Sequence, residues 1–439
     1  MNTRYESWGR YPKRLQKASV LAWCPDKLEL SSTGSVLPYG KGRSYGDVCL
    51  NTRGRLLDAA ALNRFISFDE QTGILHCEAG VTIGEILKTI SPKGWFLPVV
   101  PGTGHVTVGG AAANDIHGKN HHFEGTFGRH LLSLELLRSD GAAYRCSRKE
   151  NPELFSATIG GLGLTGLMTR LEIQMKRCEG PMIETESISF SDLNGLLKLS
   201  ESDQDSEYTV AWVDVSASGD SFGRGVYFRG RHVRNAPKTS VGSGYRKISI
   251  PFDLPKSVVT PGAVKIFNAI YSSRHTGKKT RTVYYPHFFF PLDALGNWNR
   301  LYGPQGFFQY QAVVPMAAGF SKTEELLRII ADSGLASVLA VLKKFGSLAS
   351  PGKLSFPREG WSVAVDLLNE GEASFKLMET LDGIVRASGG AVYPAKDARM
   401  SMESFEAFFP QWPEFLKWKD PLFESDFFRR MTRFSKTGG

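Results

Sequence analysis

The chain has no run of about 18 apolar residues anywhere in its 439 positions, so nothing in it predicts a membrane-spanning helix. Its opening stretch, MNTRYESWGRYPKRLQ, carries basic residues without the apolar centre of a secretory signal. Cysteine is scarce. The five present, at 24, 49, 77, 146 and 178, are odd in number and fall in no Cys-x-x-Cys or Cys/His spacing. Neither a disulfide framework nor a metal site is therefore expected, and the thiols read as reduced. These absences lead us to expect a cytoplasmic protein. Internal repeats and low-complexity tracts are missing too, while 41% hydrophobic and 22% charged residues are ordinary for a globular chain long enough for two or three domains.

Acidic residues are almost absent from two stretches. The first, Pro98 to His122, reads PVVPGTGHVTVGGAAANDIHGKNHH, with five Gly, four of the nine His and Asp115 as its single acid. So few bulky side chains add little to a core, and the exposed amides suit close approach of a large, rigid, partly anionic ligand. The stretch reads either as a glycine-rich surface loop or as a cofactor bed. Its place between a helix-like Thr82–Ile90 and a strand-like Leu131–Leu137, with His and Lys gathered at one end, favours the bed.

The second stretch, 224–281, sets thirteen Lys/Arg against Asp253, so its charge of +12 exceeds the +9 of the whole chain. Gly, Ser and Pro between 236 and 255 fit a solvated loop. Interleaved Ile248, Ile250, Phe252, Val258, Ile266 and Phe267 fit instead a surface that meets anionic lipid or a phosphate-bearing substrate. Nucleic acid is a third reading, but no binding motif accompanies the charge and none is expected to bind.

In chain order, Leu37 to Asp47 carries three Gly with Ser and Arg, a turn suited to holding a phosphate. Ile74–Ala79 reads as a strand and Thr82–Ile90 as a helix burying Ile83, Ile86, Leu87 and Ile90. Leu131–Leu137 and Ala142–Cys146 form a hairpin at Asp140-Gly141, followed by a capped helix Asn151–Ile159 and a strand Leu167–Met175. Gly161-Leu-Gly163-Leu-Thr-Gly166 matches the dinucleotide fingerprint, but that motif needs a strand before it and a helix after it. The order here is reversed, which excludes a Rossmann nicotinamide site.

A shift in composition after Cys178 marks a boundary. Beyond it, Thr209–Val215, Gly225–Arg229, Thr282–Phe290, Phe307–Val314, Val338–Leu342 and Trp361–Leu367 read as strands. Helices Ser321–Ala331, opened by a Ser321/Glu324 capping box, and Ala373–Ala387 lie between them. Alternation sends Gln309 and Gln311 to one side of a strand, and Ala364 and Asp366 to one side of another. The two amides either satisfy each other in a core or point into a polar pocket. An aromatic, helical tail runs from Tyr393 to Met431, and just before its run of Phe and Trp residues from Phe405 to Phe428 sits Lys396-Asp397-Ala398-Arg399, a polar site or a surface loop.

Taken together, Tyr39 to Asp47, Pro101 to Gly110, Asp115-Ile-His-Gly-Lys-Asn-His-His122 and Leu164-Thr-Gly166 resemble the vanillyl-alcohol-oxidase (PCMH) type of FAD-binding domain. Trp298 to Pro304, Phe308 to Gln311 and Ala395 to Arg399, with the Asp115–His122 octet, narrow the resemblance to the decaprenylphosphoryl-ribose 2'-oxidase family over nearly the whole chain. The resemblance implies an α+β fold. A two-part FAD domain would take residues 1–180 and 391–439, with a cap at 181–390 built of an antiparallel sheet carrying helices on one face.

It also implies FAD held around Tyr39, Gly40, Lys41, Gly42, Arg43, Ser44, Tyr45, Gly46, Asp47, Gly102, Thr107, Val108, Gly109, Gly110, His117, Gly118, Met168 and Tyr393. In the wider superfamily a His that would fall near Tyr45 tethers the flavin. Tyr does not readily form that bond, so FAD is expected to be non-covalent. Lys119, Trp212, Gln309, Gln311, Lys343 and Asp366 fall where substrate binds, and Tyr45, His117 and Lys396 are the candidates for proton handling. The implied reaction is hydride transfer from a secondary alcohol of a polyprenyl-phosphate pentose to flavin N5, with a short-chain NAD(P)-dependent reductase completing an epimerisation. A soluble polyol or aldonolactone is the alternative substrate. Two departures from the family pattern stand out: Ala364 replaces a cysteine and Phe289 a tyrosine.

Overall fold

The computed structural model describes residues 5–25, 34–217, 219–233, 248–255 and 258–432. Among the described residues the N-terminal part carries two larger sheets and a short antiparallel pair, Trp95–Phe96 with Lys176–Arg177. Ala18–Val20, Arg55–Asp58 and Val36–Tyr39 form a parallel sheet with Arg55–Asp58 central. Phe65–Asp69, Ile74–Glu78, Leu167–Gln174, Leu131–Leu137 and Ala143–Ser147 lie side by side in an antiparallel one. The helix Ile83–Ile90 begins at a capping box in which Thr82 and Glu85 exchange bonds, and its Ile83, Ile86, Leu87 and Ile90 are buried.

The second part is built on an eight-stranded sheet in the order Lys278–Tyr284, Met182–Phe190, Gly225–His232, Tyr208–Val213, Ala336–Phe345, Gly360–Leu368, Phe307–Pro315, Ala391–Val392, beside a short parallel pair of Ile248–Ser249 and Leu295–Gly296. Leu193–Ser202, Phe320–Ser333 and Glu372–Ala387 pack their apolar stripes on one face, sharing a core with Ala211, Tyr310, Leu342 and Val365. The chain beyond Ala391–Val392 returns to the first part. There Phe423 bridges to Val36, and Arg430 joins Asp47 (2.8 Å) and Asp397 (2.8 Å). Among the described residues no helix is long and apolar enough to cross a membrane.

Several local expectations are corrected. Thr282–Phe290 is not one strand: the ladder stops at Tyr284 and a helix Tyr285–Phe289 follows, because Pro286 has no N–H to continue the pairing. Phe320–Ser333 starts from Gly319 without a side-chain cap, so Ser321 lies inside the helix. Asn151 takes φ +47 and gives its amide to the Arg145 carbonyl rather than capping Pro152–Thr158. Pro261–Arg274, capped by Thr260, is a helix that the basic, Gly/Ser-rich surroundings hid. It lies on the opposite face of the large sheet from the other three, its Tyr271 ring 4.7 Å from Trp212.

Of the basic stretch, 234–247 and 256–257 lie outside the described residues. Within it Arg224, Arg229, Arg231 and Lys278 answer acids from neighbouring strands and loops, Asp214, Glu186 and Glu184. Asp253 holds Arg10.

Candidate functional site

Between the glycine-rich loops and the large sheet lies a cavity of about 1070 Å³. That is at the upper end of, or beyond, the usual size of a small-molecule site. Among the described residues, Lys41, Arg43, Lys119, Lys279, Arg281, Lys343 and Lys396 line it against Asp293 and Asp366 alone, so it favours an anionic ligand.

One side is made of backbone. The strand Val36–Tyr39 ends where the Tyr39 hydroxyl donates to the Glu6 carbonyl (2.8 Å), and the loop then turns through Gly40 and Gly42. A Cβ on Gly40 would sit 2.5 Å from Thr107 Oγ1, and one on Gly42, at φ +60, 2.1 Å from the Tyr39 hydroxyl. Thr107 Oγ1 accepts the Gly110 N–H, and Gly109 packs flat on Ala79, donating to its carbonyl (2.8 Å). Tyr393, from the returning tail, donates to the Asn114 carbonyl (2.8 Å). Arg43 stacks its guanidinium over Trp8 (4.2 Å), and its Nε is buried without a partner.

The other side is made of side chains. Gln309 stands opposite Asp366 and Gln311 opposite Ala364 in the sheet register, all on the cavity face. Gln309 Nε2 donates to Asp366 Oδ1 (2.6 Å), and Tyr302 Oη donates to Asp366 Oδ2 (3.3 Å) while bonded to Ser337 Oγ (2.7 Å). Gln311 Nε2 lies 2.8 Å from His117 Nε2 and 3.2 Å from Ser362 Oγ. The other ring nitrogen, His117 Nδ1, is buried without a partner. Lys119 Nζ donates to the Phe288 carbonyl and lies 4.1 Å from the centre of the Phe288 ring.

Burial dominates the electrostatics. It pushes Lys396 down to about 7, with nearby Lys343 adding to the fall and Asp366 opposing it. It pushes Asp366 up to about 7, against the Gln309 hydrogen bond, the Lys396 charge and the Tyr302 hydroxyl. Burial brings Lys343 down to about 8, and burial with the Lys343 charge brings Lys119 to about 7. His117 is held well below its ordinary value by burial and by Lys343, His121 and Lys396, so its ring is neutral near pH 7. Tyr45 is raised by burial and by Asp366 and keeps its proton; Lys396 Nζ sits 3.6 Å over its ring.

Most of the residues singled out from the sequence meet in this cavity. Gly46, Asp47 and Val108 do not. Gly46 abuts the Asp397 carbonyl, Asp47 pairs with Arg430, and Val108 is wholly buried with its N–H on the Val81 carbonyl (2.8 Å). All three brace the loops from behind. Conversely, Trp8, Asp293, Tyr302, Ser337 and Ser362 take part without having been picked out. Tyr302 lies within the Trp298–Pro304 segment that carries the resemblance, whereas Ser337 and Ser362 sit in ordinary strand sequence with no signal. Asp293 accepts the Gly104 N–H (2.8 Å).

The residues fit an FAD. The glycine loops form a cradle that added side chains would fill, a Cβ on Gly102 would enter open space, and Arg43 Nε and His117 Nδ1 are buried groups in want of a partner.

Comparison with known proteins agrees. Residues 20–147 match the family described as FAD binding domain. The chain is 36% identical over 421 residues to the decaprenylphosphoryl-beta-D-ribose oxidase of Mycolicibacterium smegmatis, covering 90% of this chain and 89% of the relative. It is 32% identical over 372 residues to an uncharacterised protein of Streptomyces coelicolor, covering 80% of this chain and 100% of the relative. Similarity to the L-gulonolactone oxidase of Mus musculus, 26% over 137 residues, spans only 31% of this chain and 30% of that enzyme.

Proposed function

The chain belongs to the decaprenylphosphoryl-β-D-ribose oxidase family of FAD-dependent oxidoreductases, and from that premise we propose that it oxidises the 2'-hydroxyl of a polyprenyl-phosphate-linked pentose to the 2'-keto sugar. FAD when bound supplies the two-electron acceptor for the carbinol carbon. Tyr39 to Tyr45, Gly102, Thr107, Gly109, Gly110, Gly118, Met168 and Tyr393 hold it without a covalent tether. Lys396 Nζ, neutral above about pH 7, takes the hydroxyl proton. Asp366 stays beside it as the ammonium forms, oriented by Gln309 and Tyr302. Neutral His117, steadied by Gln311, and protonated Tyr45 orient the alcohol oxygen, while the amides of Gln309 and Gln311 hold sugar hydroxyls. Lys119 and Lys343 take the phosphate.

The observation that carries the reading is Lys396 and Asp366, each shifting the other's titration, facing the glycine cradle across one cavity. The product requires a reductase that returns the 2'-keto group with inverted configuration, a short-chain NAD(P)-dependent partner in arabinan and cell-wall precursor synthesis. The basic 224–281 stretch, with exposed Ile248, Phe252 and Ile266, meets an anionic membrane surface.

An anaerobic titration tests the reaction. A prenylphosphoryl ribose bleaches the yellow protein while free ribose and aldonolactones do not; bleaching by the free sugar alone overturns it. Denaturation by acid releases the flavin into solution, and flavin retained on the precipitate refutes the non-covalent assignment.

A further inference from the structure

The cavity is far longer than a sugar requires, and the large sheet provides the scale. Neighbouring strands lie about 4.8 Å apart. From Phe307–Pro315 to Lys278–Tyr284 there are six spacings, about 29 Å across the cavity face. Its chemistry changes in order along that line. Gln311, Ala364, Val341 and Trp212 stand opposite one another in register, and one row along come Val210, Phe228, Ser187 and Lys279. Polar groups thus occupy the end beside His117 and Lys396, with Lys343 next. An apolar zone from Val341 to Phe228 follows, then hydroxyls with Lys279 and Arg281 at the far rim.

The helix Pro261–Arg274 lies over the apolar zone. Its Tyr271 packs on Trp212 and stacks with Phe267 (6.2 Å), and both line the cavity. Its Ile266 and Ile270 stay 65% and 49% exposed, so the helix is apolar toward solvent as well as inward. Lys279 and Arg281 are four strands beyond Lys343, about 19 Å, so one phosphate cannot meet both sets of cations. A ligand that fills the cavity must be anionic near Lys343 and apolar past it.

We propose that the zone bounded by Trp212, Phe228, Phe267 and Tyr271 binds the proximal isoprene units of the lipid-linked substrate, the tail leaving past Lys279 and Arg281. The proposal rests on the functional reading above and adds to it that the cap recognises chain as well as sugar. Ala364, the small residue between Gln311 and Val341 in the row, leaves the passage open between the two zones.

Equilibrium binding of geranyl, farnesyl and geranylgeranyl monophosphate to the flavin-loaded protein tests this without a sugar or a reaction. Affinity rises at least about tenfold across the series as more chain leaves water. Phe267→Glu, at a half-exposed site that tolerates charge, and Tyr271→Ser flatten that rise while flavin content holds. Equal affinity for all three probes, or an unchanged rise in both variants, overturns the proposal. The reaction fails separately: a clear chain-length rise with no bleaching by prenylphosphoryl ribose leaves the passage standing and removes the chemistry.

Discussion

The two sides of the cavity recognise by different means. The cradle of residues 39–45 and 101–118 is backbone: glycines at close approach, held by Thr107, Tyr39 and Tyr393. The sheet opposite is side chain: Gln309, Gln311, Lys343 and Asp366 on strands whose other face is packed core. A backbone surface is fixed by sterics, so altering it removes the ligand altogether. A side-chain surface is fixed by chemistry, so altering it changes rates while the fold stands.

The largest expected effect comes from filling the cradle. Gly42→Val puts a branched side chain at φ +60, with its Cβ 2.5 Å from the Glu6 carbonyl. It costs about 3 kcal/mol or more and leaves protein nearly free of flavin, read from the ratio of flavin to protein absorbance. Gly102→Ala sharpens the contrast, because its Cβ meets no protein atom within 4 Å. It folds with unchanged thermal stability, and any flavin it loses is lost through the cavity alone.

Next comes the opposite side. Lys396→Met keeps its flavin and slows flavin reduction by about 10²-fold or more. In the native protein the Lys396 amine, held down to about 7, is protonated below that pH and unable to accept a proton. The reduction rate therefore climbs as pH rises through about 7 and levels off above it. In Lys396→Met that limb is absent, and its survival would assign the base elsewhere.

The smallest effect is at Tyr302. Tyr302→Phe removes a hydroxyl bonded to Ser337 and to Asp366, worth about 1 kcal/mol, and slows reduction about fivefold. Because that hydroxyl holds the Asp366 carboxyl down, its loss moves the carboxyl further up; less negative charge then stabilises the Lys396 ammonium less, and the pH profile shifts to lower pH without loss of flavin.

The cradle was the more legible side. Its glycines announce turns and close approach in the residues themselves, and the reversed order of helix and strand around Gly161–Gly166 was enough to exclude a Rossmann site. On the sheet, alternation alone put Gln309 with Gln311 and Ala364 with Asp366 on common faces. Their partners were not legible. Gln311 meets His117 across 194 positions and Tyr302 meets Ser337 across 35, and no local pattern encodes a contact between strands of unknown order. Asp47 misled for the related reason that it sits in the right loop but turns its carboxylate to Arg430, 383 positions away. The helix Pro261–Arg274 escaped because apolar residues on both its faces blur the period of 3.6.

Sequence by itself determined turn chemistry, strand periodicity and the inventory of reactive groups, since each depends on residues within a few positions of one another. Tertiary structure alone decided that Lys396 and Asp366 share one cavity and titrate near neutrality. It did so because desolvation is exerted by whatever the fold packs around a charge, and here that packing comes from strands and loops drawn from the whole length of the chain.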